Sequence, residues 1–220
     1  MPHPLAPIVA LDIDGTTGDY HSHLVKFAEQ WTGRKIEYAP SSTEPFSFSR
    51  VLGMSKHNYR QMKIAYRAGG TKRSMPVFPG ASELTKQLRR WGIQVWICTT
   101  RPYQKFDNVD PDTREFLKRN KMSWDHILYG DYKYRDLVKI VGKERVLAVV
   151  DDLPEQVVRA NKLGLPTIMR SGPHNKWWIN DSESLKKLTN EDSKVYVAHS
   201  CMEITDIIRS LKINGSHRSR

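Results

Sequence analysis

Short apolar runs and stripes of apolar residues at helical spacing alternate along most of this 220-residue chain. The runs at residues 8–11, 93–98 and 146–150 are bounded by polar residues, which is typical of strands buried on both faces. Helical stripes separate these runs, and one later helix is expected to begin with Asp110 as its N-cap and Pro111 in its first turn. Further short strands are expected at residues 126–129, 166–169 and 195–198. This order predicts an α/β fold, a doubly wound parallel sheet with helices on both faces.

A mostly helical segment, residues 18–78, separates the first strand from the next strand and helix signals. Gly33 is expected to end its first helix, a polar loop follows over residues 36–48, and a second helix is predicted over about residues 50–68. We interpret its aromatic residues, including Trp31, Phe46 and Phe48, as packing in a small core rather than as substrate contacts. The predicted units are an α/β core of residues 1–17 and 79–212, a helical cap of residues 18–78 inserted after the first strand, and a flexible basic tail of residues 213–220.

Polar residues that can carry chemistry follow the ends of the predicted strands. Because successive side chains of a strand alternate between its faces, Asp12 and Asp14 leave the first strand on the same side. Gly15 then permits a turn that a Cβ atom would hinder. Ligands of open parallel sheets bind at the carboxyl ends of the strands, so we expect one site there. Its candidate residues are Asp12, Asp14, Thr99, Lys133, Asp151 and Asp152.

These residue types fit the transfer of a phosphoryl group. A carboxylate can attack phosphorus to form an acyl-phosphate, which water later cleaves. A second carboxylate can protonate the leaving oxygen and then deprotonate that water. Mg²⁺ prefers oxygen ligands, and a hydroxyl and an ammonium group can hold the phosphoryl oxygens, since the reaction depends on positioning and charge neutralisation. The sequence therefore predicts chemistry on a phosphorylated substrate with Mg²⁺ as the cofactor.

The charge balance favours partners that carry phosphate. The chain has 35 Lys and Arg residues against 24 Asp and Glu residues, a formal net charge of +11. This balance suits a small phosphorylated substrate such as a nucleotide, and also nucleic acid. Cys98 and Cys201 are too few and too scattered for a disulfide framework or a zinc site. No apolar run approaches the roughly 20 residues of a membrane span and the first residues lack signal-peptide features, so we expect a cytoplasmic protein without a membrane partner.

Four segments, in this order, resemble the four motifs of the haloacid dehalogenase superfamily of phosphatases. The segments are Asp12-Ile13-Asp14-Gly15-Thr16, Ile97-Cys98-Thr99, Lys133 and Val149-Val150-Asp151-Asp152. The resemblance covers about residues 7–170 and implies a Rossmann-like core of that superfamily. The helical insertion resembles the cap of the subgroup in which a cap follows the first strand.

The resemblance also implies a role for each motif residue. Asp12 is implied to be the nucleophile, and Asp14 the general acid/base, which binds the metal through its backbone carbonyl. Thr99 is implied to hydrogen-bond the phosphoryl group, and Lys133 to steady both that group and Asp12. The implied metal ligands are Asp12, Asp14 and Asp152, with Asp151 in a supporting role. We therefore expect a Mg²⁺-dependent phosphomonoester hydrolase that forms an aspartyl-phosphate intermediate.

Within the superfamily, residues 78–152 look most like the 5'(3')-deoxyribonucleotidases. The shared features are Pro79-Gly80 before a helix, the second motif, and a basic and aromatic loop at residues 101–106. A (deoxy)nucleoside monophosphate is therefore the expected substrate, contacted by Thr100, Arg101 and Lys105. Polynucleotide 3'-phosphatases are similar over the core, which makes the phosphorylated end of a nucleic acid the alternative substrate.

Two other protein classes share part of this pattern. A phospho-receiver domain also places aspartates, a hydroxyl residue and a lysine on a parallel sheet. There the acidic pair comes early, the phosphorylated aspartate comes later and no cap is inserted, so the order in this chain argues against that class. A catalytically silent nucleic-acid-binding protein would suit the basic charge, but it leaves unexplained why every motif position is retained.

Overall fold

In the computed structural model, residues 6–181, 183 and 195–217 are described. Six strands form one sheet in the order β3-β2-β1-β4-β5-β6, and every neighbouring pair is parallel. The strands are β1 (Ile8–Leu11), β2 (Gln94–Thr99), β3 (His126–Tyr129), β4 (Val146–Asp151), β5 (Thr167–Arg170) and β6 (Val195–Ala198). This topology confirms the predicted doubly wound parallel sheet.

Helices cover both faces of the sheet. They are α1 (Tyr20–Thr32), α2 (Phe48–Val51), α3 (Lys56–Ala68), α4 (Ala81–Arg90), α5 (Val109–Arg119), α6 (Lys133–Val141), α7 (Pro154–Lys162), α8 (Lys176–Asn180) and α9 (Cys201–His217). Leu11 of β1 belongs to a buried cluster that includes Leu84 of α4 and Ile204 of α9. Ala10, its neighbour in the strand, belongs to a second cluster that includes Leu137 of α6 and Ala160 of α7. Each strand thus alternates its side chains between two apolar layers.

The central position of β1 determines where the polar strand ends meet. Leu11 pairs with Ile97 of β2 on one side and with Val150 of β4 on the other. The backbone N–H of Asp12 still donates to the carbonyl oxygen of Val150 at 3.0 Å. Residues that directly follow these three strands are therefore brought to the same edge of the sheet.

The segment between β1 and α4 is helical, as the hydrophobic pattern predicts, but its second helix is interrupted. Gly33 ends α1 in the left-handed conformation (φ 68°), as expected. The single helix predicted over residues 50–68 is wrong, because α2 ends before α3 begins. The side chain of Ser55 accepts a hydrogen bond from the backbone N–H of Asn58 at 3.1 Å, which gives α3 an N-cap of its own. The assignment of residues 18–78 as a separate cap stays a prediction.

Two further helix ends differ from the sequence prediction. Asn108 is the N-cap of α5, so Asp110, the predicted cap, lies in the first turn. Its carboxylate instead accepts hydrogen bonds from Arg114, one turn later, and from the hydroxyl of Tyr129. The last helix continues to His217, beyond residue 213 where a flexible tail is predicted, and residues 218–220 lie outside the described residues. Among the described helices, none has the length and apolar character needed to cross a membrane.

Candidate active site

A buried lysine joins two aspartates at the carboxyl ends of β1 and β4. Lys133, the first residue of α6, places its Nζ 2.5 Å from Oδ1 of Asp12 and 2.7 Å from Oδ2 of Asp151. The Lys133 side chain is fully buried and Asp12 is 4% exposed. Burial raises the pKa of Asp12 well above its usual value, against the opposing charge of Lys133, and the carboxylates of Asp151 and Asp152 add to the increase. This site therefore holds an excess of negative charge.

The two consecutive aspartates after β4 have different surroundings. Asp151 accepts hydrogen bonds from the hydroxyl of Tyr134 at 2.6 Å and from the backbone N–H of Leu153 at 2.9 Å, in addition to its ion pair with Lys133. Oδ1 of Asp152 accepts a hydrogen bond from the Thr16 hydroxyl at 2.9 Å, but its buried Oδ2 has no hydrogen-bond partner. Asp151 is thus occupied by protein groups, whereas Asp152 keeps one oxygen available.

Gly15 allows Asp152 to approach β1 closely. Gly15 has φ 98°, a backbone conformation that disfavours other residues. A Cβ atom at this position would lie 2.2 Å from Oδ2 of Asp152. The glycine of the first motif is therefore required both by its backbone conformation and by the space that the Asp152 carboxylate occupies.

Asp14 forms ion pairs with two cations. Nη2 of Arg101 lies 2.6 Å from Oδ1 of Asp14, and the ammonium group of Lys72 donates to Oδ2. Burial would raise the pKa of Asp14, but the charges of Arg101 and Lys72 outweigh it and lower this pKa below its usual value. Burial also lowers the pKa of Lys72 to about 7, although Asp14 opposes that decrease. Asp14 is therefore ionised at neutral pH while it is paired with Arg101 and Lys72.

Thr99, the last residue of β2, is buried next to Arg101, one of the two cations that pair with Asp14. Its hydroxyl accepts a hydrogen bond from the backbone N–H of Arg101 at 3.4 Å. Arg101, predicted to contact substrate, is itself 3% exposed and also donates to the hydroxyl of Thr113 at 3.0 Å. Thr100 lines the same cavity as Asp12 and Asp14, whereas Lys105 is exposed and lies outside that lining.

A cavity of about 220 Å³ lies between the strand ends and the helical insertion. Four of its basic lining residues, which we call the basic cluster, are Lys63, Arg67, Lys72 and Arg101. Phe46 and Phe48 also line the cavity, and the Phe46 ring stacks on His21 with centroids 5.4 Å apart. Trp31 is 49% exposed and is not part of the lining. The segment at residues 18–78 thus contributes both cations and aromatic rings to this cavity.

The chemistry of the donors fits a hard divalent cation. Carboxylate oxygens of Asp12, Asp151 and Asp152, which we call the acidic cluster, lie within 4.8 Å of one another. Among the described residues, Lys133 is the lysine or arginine that pairs with this cluster, so one positive charge faces three buried carboxylates. Mg²⁺ prefers such oxygen ligands and would offset the excess charge. Asp12 and the available oxygen of Asp152 are the groups best placed to hold it.

Several lining residues were not predicted from the sequence. His21, Lys63, Arg67 and Lys72 come from the insertion, and His174 comes from the turn after β5. His21 lies only five residues after the first motif, whereas the others are far along the chain from the strand-end motifs, and no fixed spacing links any of them to those motifs. The basic character of residues 60–73 was the available signal, but a solvent-exposed helix face has the same composition.

Comparisons with known proteins agree on the fold. Sequence comparison finds no matching protein-family model and no matching curated protein. A phosphonoacetaldehyde hydrolase-like protein from Oleispira antarctica has a similar structure, with a TM-score of 0.61 and 15% identity over 98% of this chain and 95% of that chain. For a predicted phosphatase from Clostridium acetobutylicum, the TM-score is 0.61 and the identity 17%, over 93% of this chain and 99% of that one.

A haloacid dehalogenase-like hydrolase from Streptococcus pneumoniae is similar as well, with a TM-score of 0.58 and 15% identity over 93% of this chain and 99% of that chain. These likenesses extend over the insertion as well as the core. They show that the chain has the fold of the haloacid dehalogenase-like hydrolases.

Proposed function

We propose that this protein is a phosphomonoester hydrolase in which Asp12 is the nucleophile and Mg²⁺ is the cofactor. The observation that carries the proposal is the position of Asp12. Its carboxylate pairs with Lys133 within the acidic cluster, and Asp12 lines the cavity that the basic cluster also lines. Fold neighbours described as a predicted phosphatase and a phosphonoacetaldehyde hydrolase-like protein support chemistry at a phosphorus atom. Asp12 and the four cations of the basic cluster line this one cavity, which suits binding of both a metal cation and a phosphoryl group.

The proposed reaction has two steps. A carboxylate oxygen of Asp12 forms a bond to phosphorus while the bond to the leaving oxygen breaks, and Asp14 supplies the proton that this oxygen takes up. Water then attacks phosphorus, Asp14 accepts its proton, and the acyl-phosphate bond breaks to release inorganic phosphate and regenerate Asp12. Thr99 and Lys133 hold the phosphoryl oxygens through a hydroxyl and an ammonium group.

The pKa shifts indicate what must change before this reaction starts. The raised pKa of Asp12 disfavours the ionised nucleophile, and Asp12 and Asp152 would hold a divalent cation whose positive charge would favour the ionised form. The lowered pKa of Asp14 suits its role as a base but not as an acid. Arg101 and Lys72 are the groups that an incoming phosphoryl anion would attract away from Asp14, and losing them would raise its pKa.

We infer that the substrate is a nucleoside monophosphate. The cavity of about 220 Å³ with its cationic lining suits the phosphoryl group of a phosphomonoester. Phe46 and Phe48 offer rings on which a nucleobase can stack. The net charge of +11 favours the second candidate, a polynucleotide 3'-phosphatase, because basic proteins attract the nucleic-acid backbone.

Two measurements test the proposal. Asp12→Asn should abolish hydrolysis of an aryl phosphate in the presence of Mg²⁺ while the circular dichroism spectrum is unchanged, and retained turnover would refute Asp12 as the nucleophile. A competition assay between a deoxynucleoside monophosphate and a 3'-phosphorylated oligonucleotide should favour the mononucleotide. A strong preference for the oligonucleotide that weakens steeply with added salt would instead establish the polynucleotide phosphatase.

A further inference from the structure

We propose that His21, Asp152 and His174 form a second metal site, which binds a transition-metal ion of the Zn²⁺ class. The three residues come from separate elements: His21 from α1, Asp152 from the end of β4, and His174 from the turn after β5. One ligand atom from each lies within 4.8 Å of the other two. No pattern in the sequence connects these residues, and the proposed phosphatase reaction uses neither histidine.

All three side chains are withdrawn from solvent. His21 is 8% exposed, His174 is 5% exposed, and Asp152 is fully buried. The imidazole rings of His21 and His174 approach with centroids 3.8 Å apart and planes inclined by 62°. Two histidines and a carboxylate brought together in the interior need partners for their polar atoms, because a buried polar atom without a partner is costly.

The polar atoms at the centre of the group lack such partners. Nε2 of His174 and Oδ2 of Asp152 are only 2.8 Å apart, yet they are not aligned for a hydrogen bond with each other. Neither atom has another hydrogen-bond partner among the described residues. An imidazole nitrogen and a carboxylate oxygen that are buried, close together and without hydrogen-bond partners are both free to bind one metal ion.

The surrounding groups orient the ligands. Nδ1 of His21 lies 2.7 Å from the hydroxyl of Tyr38, which leaves Nε2 of this ring free for the metal. Asn175 donates to the backbone carbonyls of Asp152 and Arg170, both at 2.8 Å, and so fixes the turn that carries His174 to the end of β4. In metal-binding histidines, the ring nitrogen that does not bind the metal commonly makes a hydrogen bond, as Nδ1 of His21 does with Tyr38.

The donor set distinguishes this site from the proposed Mg²⁺ site. Two imidazole nitrogens and one carboxylate are ligands typical of Zn²⁺ and similar ions, whereas Mg²⁺ prefers oxygen ligands alone. His21 and His174 also line a second cavity of about 430 Å³ on the side of Gly15 and Arg170. Water from that cavity can complete the coordination of an ion held by three protein ligands. Oδ2 of Asp152 is the oxygen offered to both sites, so it would bridge the two ions and each could be bound in the presence of the other.

Cobalt serves as the spectroscopic probe. Co²⁺ is titrated into the 220-residue protein with saturating Mg²⁺, so that sites made of oxygen ligands are filled. We expect one equivalent of Co²⁺ to give the intense visible absorption of a four- or five-coordinate ion, and stoichiometric Zn²⁺ to displace it. Wild-type protein that gives only the weak bands of octahedral Co²⁺ would overturn the proposal.

Single variants assign the ligands. His21→Gln and His174→Gln should each weaken Co²⁺ binding by more than about 100-fold, since removing an outer partner alone typically costs 10- to 100-fold. His57→Gln, which removes an exposed histidine on α3, is the matched control and should bind as wild type does. Equal binding by all three variants contradicts the site.

Two milder variants keep the test decisive if a ligand variant folds poorly. Tyr38→Phe removes only the hydroxyl beside His21 and should weaken Co²⁺ binding by about 10-fold or more. Asp12→Asn should retain the Co²⁺ spectrum although it abolishes the proposed hydrolysis, so the two proposals fail separately. A Co²⁺ spectrum that is lost in Asp12→Asn but unchanged in Tyr38→Phe would place the ion in the acidic cluster and reject the second site.

Discussion

The acidic cluster and the basic cluster meet at one cavity, which Asp12 of the first and all four residues of the second line, and their charge imbalances are opposite. Among the described residues, Lys133 is the lysine or arginine that pairs with the acidic cluster, and it contacts two of the three carboxylates, those of Asp12 and Asp151. In the basic cluster, Arg101 and Lys72 share Asp14, and among the described residues Lys63 and Arg67 have no acidic side chain at ion-pair distance. Burial accordingly lowers the pKa of Lys63 to about 8, and the charge of Arg67 adds to the decrease. Each cluster lacks the charge that the proposed reaction brings to it, a metal cation on one side and a phosphoryl anion on the other.

Removing the ammonium group of Lys133, which pairs with the acidic cluster, should have the largest effect. We expect Lys133→Met to abolish phosphatase activity and to lower the free energy of unfolding by about 3–5 kcal/mol at neutral pH, because it leaves buried carboxylates unpaired. Urea denaturation and turnover of an aryl phosphate measure the two effects. Lys139→Met, at an exposed position of the same helix, is the control and should change neither by much. Equal stability of the two variants would show that the acidic cluster needs no internal cation.

Removing the carboxylate of Asp14, which pairs with Lys72 and Arg101 of the basic cluster, should have the next largest effect. Asp14→Asn should reduce turnover by about 10²- to 10⁴-fold, the usual contribution of a general acid/base. Its effect on stability should be smaller than that of Lys133→Met, since the Asp14 side chain is 19% exposed. Aryl phosphate hydrolysis and urea denaturation at neutral pH give both quantities, and unchanged turnover would remove Asp14 from the reaction.

Asp14→Asn also tests how the free energy of unfolding depends on pH. The folded-state pKa of Asp14 is lowered, so its ion pairs stabilise the protein fully above the ordinary aspartate pKa, about 4. That contribution is lost as the pH falls through the lowered value. Because the pKa of Lys72 is about 7, the difference in free energy of unfolding between wild type and Asp14→Asn should grow as the pH falls through 7, where Lys72 takes up a proton in the wild type. Below about pH 4 the difference should shrink, because Asp14 itself is then protonated. A difference that keeps growing below about pH 4 would contradict the assigned ion pairs.

Of the three substitutions, the one in the aromatic lining of the cavity should have the smallest effect on activity. Phe46→Ala should raise KM for a nucleoside monophosphate by about 5- to 100-fold, the equivalent of one base–aromatic stack of roughly 1–3 kcal/mol. KM for a small non-aromatic phosphomonoester should stay within a factor of about two. Trp31→Ala removes an aromatic residue of the same insertion that lies outside the cavity and serves as the control. Equal effects of Phe46→Ala on both substrates would mean that Phe46 only packs against His21.

The two clusters also differ in how far the sequence predicts them. The acidic cluster follows from the sequence because Asp12, Asp151 and Asp152 directly continue apolar strands, and a parallel sheet brings such ends together. Each of these three positions is set by a strong hydrophobic pattern next to it. Lys133 is harder to recognise, because other lysines such as Lys121, Lys139 and Lys143 lie nearby and only the short third motif points to it.

Most of the basic cluster lies in a segment whose fold depends on long-range packing. The residues from α3 and the following turn come near Asp14 only because the insertion folds over the strand ends. The side chain of Ser55 caps α3, so a local hydrogen bond rather than hydrophobicity marks where α3 begins. His21 and His174 also come together through long-range packing, and no spacing in the sequence predicts their contact.

The central place of β1 has a consequence for folding. Ile8 pairs with Gln94 of β2 and with Val146 of β4, so the strand that is synthesised first has no partner until much later parts of the chain emerge. Contacts this distant in sequence slow the search for the native state and leave an apolar segment exposed on the ribosome. A nascent chain stalled before β4 would therefore be a strong substrate for chaperones.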